Sequence, residues 1–396
     1  MAVQRYPIVL VPGMSGWGTT SKLNQYLPYW GFARFDIAAI LNSRGYETYV
    51  ASMAPLGSAW DRMCELYAQM TGTRVDYGKA HSERFGHARY GRTYSEPLVP
   101  GWGETDDNGD VRKVNLVAHS FGGVSARMMS QFLAEGCAEE IEATTDGSLS
   151  PLFAGGQSGR IFSITTFCSP HNGTDLQTAM PLPISRVVQA GYYGVNYVSA
   201  NTPLQKWFDI QLEHFGVGAD DSSRLGWKEY SFFMHCGDNV FYDVGVDGSA
   251  RINRRLHTQD DVYYFSFAFC GTKENRFGSQ SPMLDKMIKP MLFFGQCLGA
   301  HTETTKDGAV IDTSWEKNDG VVNTISALSP STEPSKAFDP EDIPKGVWNV
   351  MPVRTGDHAT PVGWGRRREE TMPLYCKHFK QIDKLTAADQ TAKMKG

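Results

Sequence analysis

Through its first 170 residues the chain alternates short apolar runs with amphipathic stretches. The run 8–11, Ile-Val-Leu-Val, stops at Pro12-Gly13. That is the length of a buried strand and too short for a leader peptide. Phe35, Ile37, Ala38, Ile40 and Leu41 recur at helical spacing, with Gly45 as a stop. Runs at 46–51, 114–119 and 160–167 predict further strands, and 121–134 predicts a helix that Gly136 ends. Farther on, 262–269 and 347–353 read as strands. Tyr375, Phe379, Ile382 and Leu385 form the apolar stripe of a C-terminal helix. Such alternation predicts an α/β fold, a mostly parallel sheet with helices on both faces.

Two stretches break the rhythm. Residues 53–110 are rich in Gly, Tyr, Arg and His, with a polar tip at 104–110. Residues 174–260 are aromatic, with Tyr192, Tyr193, Tyr197, Trp207, Phe208, Phe215, Trp227, Tyr230, Phe232 and Phe233. Both read as insertions into a single domain spanning 1–396, and they account for its length. There is no internal repeat and no low-complexity linker.

Composition narrows the function classes. With 41% hydrophobic and 12% aromatic residues, the chain can bury a large core. A net charge of −5 gives no electrostatic reason to expect nucleic acid. No apolar run approaches membrane-spanning length, so no transmembrane anchor is expected. The 7 cysteines are scattered and odd in number, without Cys-x-x-Cys spacing, and predict buried free thiols. Nothing in the pattern points to an oligomeric state.

The candidate chemistry begins at 114–123, where an apolar strand runs into Ala118-His119-Ser120-Phe121-Gly122 and then a helix. Small residues two positions either side of a serine suit a sharp strand-to-helix turn that lifts the hydroxyl clear of the backbone. The usual pentapeptide is Gly-x-Ser-x-Gly, and Ala118 replaces its first glycine. A serine so placed is a candidate nucleophile and needs a base and a group to orient that base. In this fold type the order is Ser, acid, His. Of the downstream histidines, His378 is expected at a polar surface position of the last helix and His171 in a turn. His358, in a short loop after the strand at 347–353, is the candidate base. Asp319, in an Asn-Asp-Gly turn, is the candidate acid, with Asp312 and Asp339 as rivals. Backbone N–H groups of Phe121 and of Met14, in the Gly-rich loop after the first strand, are the candidate oxyanion donors.

These blocks resemble the thermoalkalophilic bacterial lipases, secreted zinc-containing α/β-hydrolases with staphylococcal relatives. The resemblance runs nearly the whole length: Pro-Gly-Met-Ser-Gly-Trp-Gly at 12–18, Trp60-Asp61-Arg62, Val75-Asp76-Tyr77-Gly78 leading to His81, 86–94, the Ala-His-Ser elbow, Pro170-His171-Asn172-Gly173-Thr174, Asn318-Asp319-Gly320 and Asp357-His358. The family shares the alanine in the elbow. The resemblance implies the α/β-hydrolase fold, with Ser120, Asp319 and His358 as nucleophile, acid and base. It also implies a zinc site at Asp61, His81, His87 and Asp238. Two imidazoles and two carboxylates make a neutral tetrahedral zinc site with no open position, hence structural, pinning the first insertion to the second. Two departures stand out: Pro12 where the family usually has histidine, and Phe121 where it often has glutamine. Both should make the acyl entrance more apolar. The family's calcium site uses a glutamate and an Asp-Pro where this chain has Thr360 and Gly365-Arg366, which speaks against calcium.

By the same resemblance, 174–240 is a lid of amphipathic helices and the protein is extracellular. The expected function is a carboxylester hydrolase acting on water-insoluble esters such as triacylglycerols at an interface. Polyester hydrolysis, acyl transfer on the same scaffold and a non-catalytic binding role are the alternatives.

Overall fold

The computed structural model describes residues 4–106, 109–217 and 227–393. The middle of the polar tip at 104–110 and part of the 174–260 stretch lie outside the described residues. The principal strands are β1 (Ile8–Val11), β2 (Thr48–Val50), β3 (Val114–His119), β4 (Ile161–Phe167), β5 (Tyr263–Phe267), β6 (Ser335–Ala337) and β7 (Trp348–Val350). They form one 7-stranded sheet in the spatial order β6-β7-β5-β4-β3-β1-β2. Every pairing in it is parallel.

Alternation within β1 shows how two layers are filled. Val9 and Val11 join one core with Leu116, while Ile8 and Leu10 join the other with Val117. The first core is closed by α2 (Ala59–Thr71) and α3 (Gly122–Glu135), the second by α1 (Ile37–Ser43) and the C-terminal helix Arg368–Lys393. Local signals set the helix ends: Asp36 accepts from Ala39 N, Ser58 accepts from Asp61 N, and Gly72 and Gly136 take positive φ at the C-termini. This is the α/β-hydrolase arrangement. Among the described residues no helix is long and apolar enough to cross a membrane. None of the cysteines is bonded to another.

The structure departs from the sequence reading in three places. β6 was not anticipated, because Ser-Lys-Ala carries no apolar signal; it is an edge strand that buries little and is held by its ladder to β7. The stretch 53–110 opens with a helix of the main layers, since α2 is buried from Ala59 to Met70 and packs on α3. His378 is not at the surface. It is only 5% exposed, its ring lies against Phe265 and Phe267, and its Nε2 is 2.7 Å from Thr165 Oγ1. The last helix buries a wider face than its stripe predicts, and burial pushes the His378 ring down to about 3.

Candidate active site and metal centre

β3 and α3 meet at Ser120, whose φ is +54°. A non-glycine residue there costs about 1–3 kcal/mol and persists only where its surroundings enforce it. The enforcement is visible. Ser120 N donates to Phe167 O on β4 at 2.8 Å, and Ser169 Oγ donates to Ser120 O at 2.7 Å. A Cβ on Gly122 would lie 2.5 Å from Pro12 O, and one on Gly13 would lie 2.6 Å from Ser120 Cβ. The glycines thus let the β1 loop close over the elbow, which is the steric content of the motif.

His358 Nε2 stands 2.9 Å from Ser120 Oγ, and His358 Nδ1 stands 2.8 Å from Asp319 Oδ2. His358 N also donates to Asp319 O at 2.8 Å. The other carboxylate oxygen of Asp319 accepts from Val321 N at 3.0 Å and Val322 N at 2.8 Å. All three residues are buried. The rival aspartates are elsewhere: Asp312 and Asp339 are exposed and cap local turns. His171 does sit in a turn, buried against Trp348 and Thr166.

Met14 and Phe121 line the same pocket as Ser120 and His358. Neither of their N–H groups has a partner among the described residues, so both can donate. The β1 loop that carries Met14 is fixed by Ser15 N donating to Pro55 O at 2.8 Å. Buried Arg62 fixes it further, donating to Pro12 O at 2.5 Å and Gly13 O at 3.2 Å. Burial lowers this guanidinium to about 10.

Two residues without a sequence signal tie the β1 loop to His358. Tyr29 Oη accepts from Gly13 N at 3.3 Å and lies 2.6 Å from His119 Nδ1. His119 Nε2 lies 2.8 Å from His358 O. A carbonyl only accepts, so His119 carries its proton on Nε2 and Tyr29 donates to Nδ1. Burial first, then the nearby His358 ring, holds His119 well below its ordinary pKa, which keeps it in this neutral tautomer. His119, Cys168 and His358 also approach one another closely. Every ring nitrogen there is already engaged, so the trio does not offer metal ligands.

The pocket over Ser120 is a cavity of about 230 Å³ with Met180, Val188, Phe241, Met291, Val322 and Trp364 in its wall. Its roof is α4 (Leu182–Ala200), which faces the pocket with Val188 and Tyr192. Several other apolar side chains of α4 are exposed: Leu182 is 62% exposed, Val187 70% and Val195 63%.

The ligand-type atoms of Asp61, His81, His87 and Asp238 all lie within 4.8 Å of one another. They come from α2, the short helix Lys79–Phe85, the loop after it, and the loop after α5 (Trp227–His235). His81 Nε2 is 3.0 Å from Asp238 Oδ2 and 3.4 Å from Asp61 Oδ1. His87 Nδ1 donates to Ala88 O at 2.9 Å, so a neutral His87 turns a bare Nε2 toward Asp238 Oδ2, 3.2 Å away. That Nε2 and Asp61 Oδ1 are buried and lack hydrogen-bond partners among the described residues. Lone pairs converging in this way need a cation between them. Without one, protons must serve: burial opposes charge on His81, but Asp238 and then Asp61 carry it up to about 10. The donor set therefore fits a divalent metal. His214 was not read as part of it, yet its Nε2 lies 2.9 Å from Asp61 Oδ2, where it orients that carboxylate. Where the resemblance places calcium, the Arg366 guanidinium lies 3.2 Å from Thr360 Oγ1 and 3.4 Å from Asp357 Oδ2.

The chain is similar to proteins of one group. A family profile described as "Lipase-like, C-terminal domain" matches residues 4–395. Lipase 2 of Staphylococcus aureus (strain MSSA476) is 32% identical over 91% of this chain, and this chain spans only 51% of that relative's length. Among solved structures, EstA from Clostridium botulinum has a TM-score of 0.81 at 32% identity, over 97% of this chain and 88% of that one. Lipase 1 from Pelosinus fermentans has a TM-score of 0.78 at 35% identity, over 97% of this chain and 99% of that one. With a match across nearly its whole length, the chain belongs to the bacterial lipase family of the lipase-like C-terminal domain.

Proposed function

We propose that this chain is a carboxylester hydrolase in which Ser120 is the nucleophile, His358 the base and Asp319 the acid. The observation that carries the reading is the unbroken contact line from Ser120 Oγ through His358 to Asp319, at 2.9 Å and 2.8 Å. Ser120 Oγ attacks the ester carbonyl and its proton passes to His358 Nε2. Asp319 holds Nδ1–H and stabilises the imidazolium. The Met14 and Phe121 amides take the oxyanion, helped by the N-terminus of α3. His358 returns the proton to the departing alcohol. Water then attacks the acyl-enzyme by the same route and the acid leaves.

The substrate class is water-insoluble esters such as triacylglycerols. An apolar pocket, exposed apolar side chains along α4, and relatives named lipases support it. In this reading α4 and its neighbours in 174–260 are the lid. Asp61, His81, His87 and Asp238 would hold zinc. With four protein ligands it would cross-link the 53–110 region to the 174–260 region and take no part in the chemistry.

The test is p-nitrophenyl ester turnover by wild type and Ser120→Ala. Wild-type turnover abolished by the substitution supports the reading; no wild-type turnover, or an equally active variant, defeats it. Elemental analysis that finds no zinc in protein purified without chelators would defeat the metal assignment alone.

A further inference from the structure

Two cavities lie along different faces of α4, and they share lining residues. The first is the pocket over Ser120, about 230 Å³. The second is about 460 Å³ and lies between α4 and α5, with Tyr193, Trp227, Tyr230 and Met234 on its apolar side and Arg186, Gln189 and His235 also in its lining. One helix roofs both: Val188 and Tyr192 face the first, Ala190, Tyr193 and Gly194 the second. Gln177 and Phe241 line both cavities.

Phe241 is held in that position from several sides. Its ring centroid lies 5.1 Å from that of Tyr193 and 6.3 Å from that of Tyr192, so it fills the space beneath the roof. Its N–H donates to Asn239 Oδ1 at 3.1 Å and its carbonyl accepts from Gln177 Nε2 at 3.0 Å. A ring anchored through its backbone and packed against two others is a fixed partition. The larger space behind it has an aromatic side, Tyr193, Trp227 and Tyr230 with Met234, that can take hydrocarbon, while Arg186, Gln189 and His235 form its polar side.

We propose that Phe241 is the specificity wall of the acyl site: it ends the pocket over Ser120 and shuts a bound acyl chain out of the chamber between α4 and α5. This rests on the ester-hydrolase reading above. Its consequence is that acyl chains longer than the first pocket gain nothing from their added length in the wild type, although a larger space lies one side chain away. Removing the ring joins the two spaces. Each methylene that then enters the chamber is worth about a fourfold gain in kcat/KM, from ~0.8 kcal/mol per buried CH₂.

Gly194 supplies the control. It lines the second chamber alone, and a Cβ added there meets nothing within 4 Å. Gly194→Phe therefore adds a ring at the lining of the second space without a clash at the backbone. The experiment is the kcat/KM ratio for p-nitrophenyl laurate over butyrate in wild type, Phe241→Ala, Gly194→Phe and the double variant. Phe241→Ala should raise the ratio by about tenfold or more. Gly194→Phe alone should leave the ratio as in the wild type, and in the double variant it should cancel the gain. If Phe241→Ala fails to fold, Phe241→Val carries the same expectation with a smaller rise. A folded, active Phe241 variant with the wild-type ratio overturns the wall, as does a raised ratio that Gly194→Phe does not reduce. A wild type with no turnover of either ester overturns the hydrolase reading itself, and the wall falls with it.

Discussion

The elbow at Ser120 and the cluster at Asp61 are both buried groups of His and carboxylate, yet they are built in opposite ways. The elbow is one contiguous segment on the central strand β3, between β1 and β4, and its geometry is enforced by backbone contacts and glycines. Around it the donors and acceptors are matched: Asp319 has Val321 N, Val322 N and His358 Nδ1, and His358 has Ser120 Oγ. The cluster gathers side chains from three separated segments, none of them a sheet strand, and leaves Asp61 Oδ1 and His87 Nε2 unmatched. A site whose geometry comes from the backbone can spend its side chains on chemistry. A site whose side chains are what join its segments serves stability.

That contrast predicts opposite consequences when each is broken. The largest effect should follow Ser120→Ala: ester turnover should fall by a factor on the order of 10⁴ or more. Thermal unfolding should be unchanged or slightly raised, since the substitution removes only a hydroxyl. Comparable loss in kcat/KM and in Tm would erase the distinction.

Next in size is Asp61→Ala. Removing one member of a buried charged set typically costs about 3–5 kcal/mol. Calorimetry should show a Tm lowered by several degrees, and a chelator should do little further to the variant while lowering the wild-type Tm. Initial turnover below the new Tm should change far less than stability. An activity loss as deep as that of Ser120→Ala, with Tm intact, would place the cluster in the chemistry instead.

Tyr29→Phe probes the joint between the β1 loop and His358. It strips a partner from Gly13 N and from His119 Nδ1, and each buried group left alone costs about 1–3 kcal/mol. Turnover should fall by about tenfold, mostly in kcat. Unchanged kcat would show that the Gly13–Tyr29–His119–His358 line does not position the site.

The difference in construction also explains what could be read from the chain. The strand-turn-helix at 114–123 is local, so periodicity and turn chemistry expose it directly. Asp319 and His358 each sit in a short turn after or between regular elements, and fold order is enough to nominate them. The structure sets them within hydrogen-bond distance. The cluster has no local signature: Asp61 is buried in the first turn of an ordinary layer helix, and only resemblance singles it out. His214 and Tyr29 escaped for the same reason, because each acts through a partner more than 80 residues away in sequence, Asp61 and His119 respectively. His378 misled because a helix packed against phenylalanines on a sheet can bury a polar ring that its apolar stripe leaves out. Strand β6 escaped because an edge strand is specified by its neighbour more than by its own side chains.

The most direct measurement is covalent trapping of the nucleophile. Incubation with a p-nitrophenyl alkylphosphonate, followed by intact-mass and peptide analysis, should give one phosphonyl adduct per chain, on Ser120, with loss of ester turnover in step. Ser120→Ala should take up none. An unmodified wild type, or a stoichiometric adduct on another residue, would contradict the account.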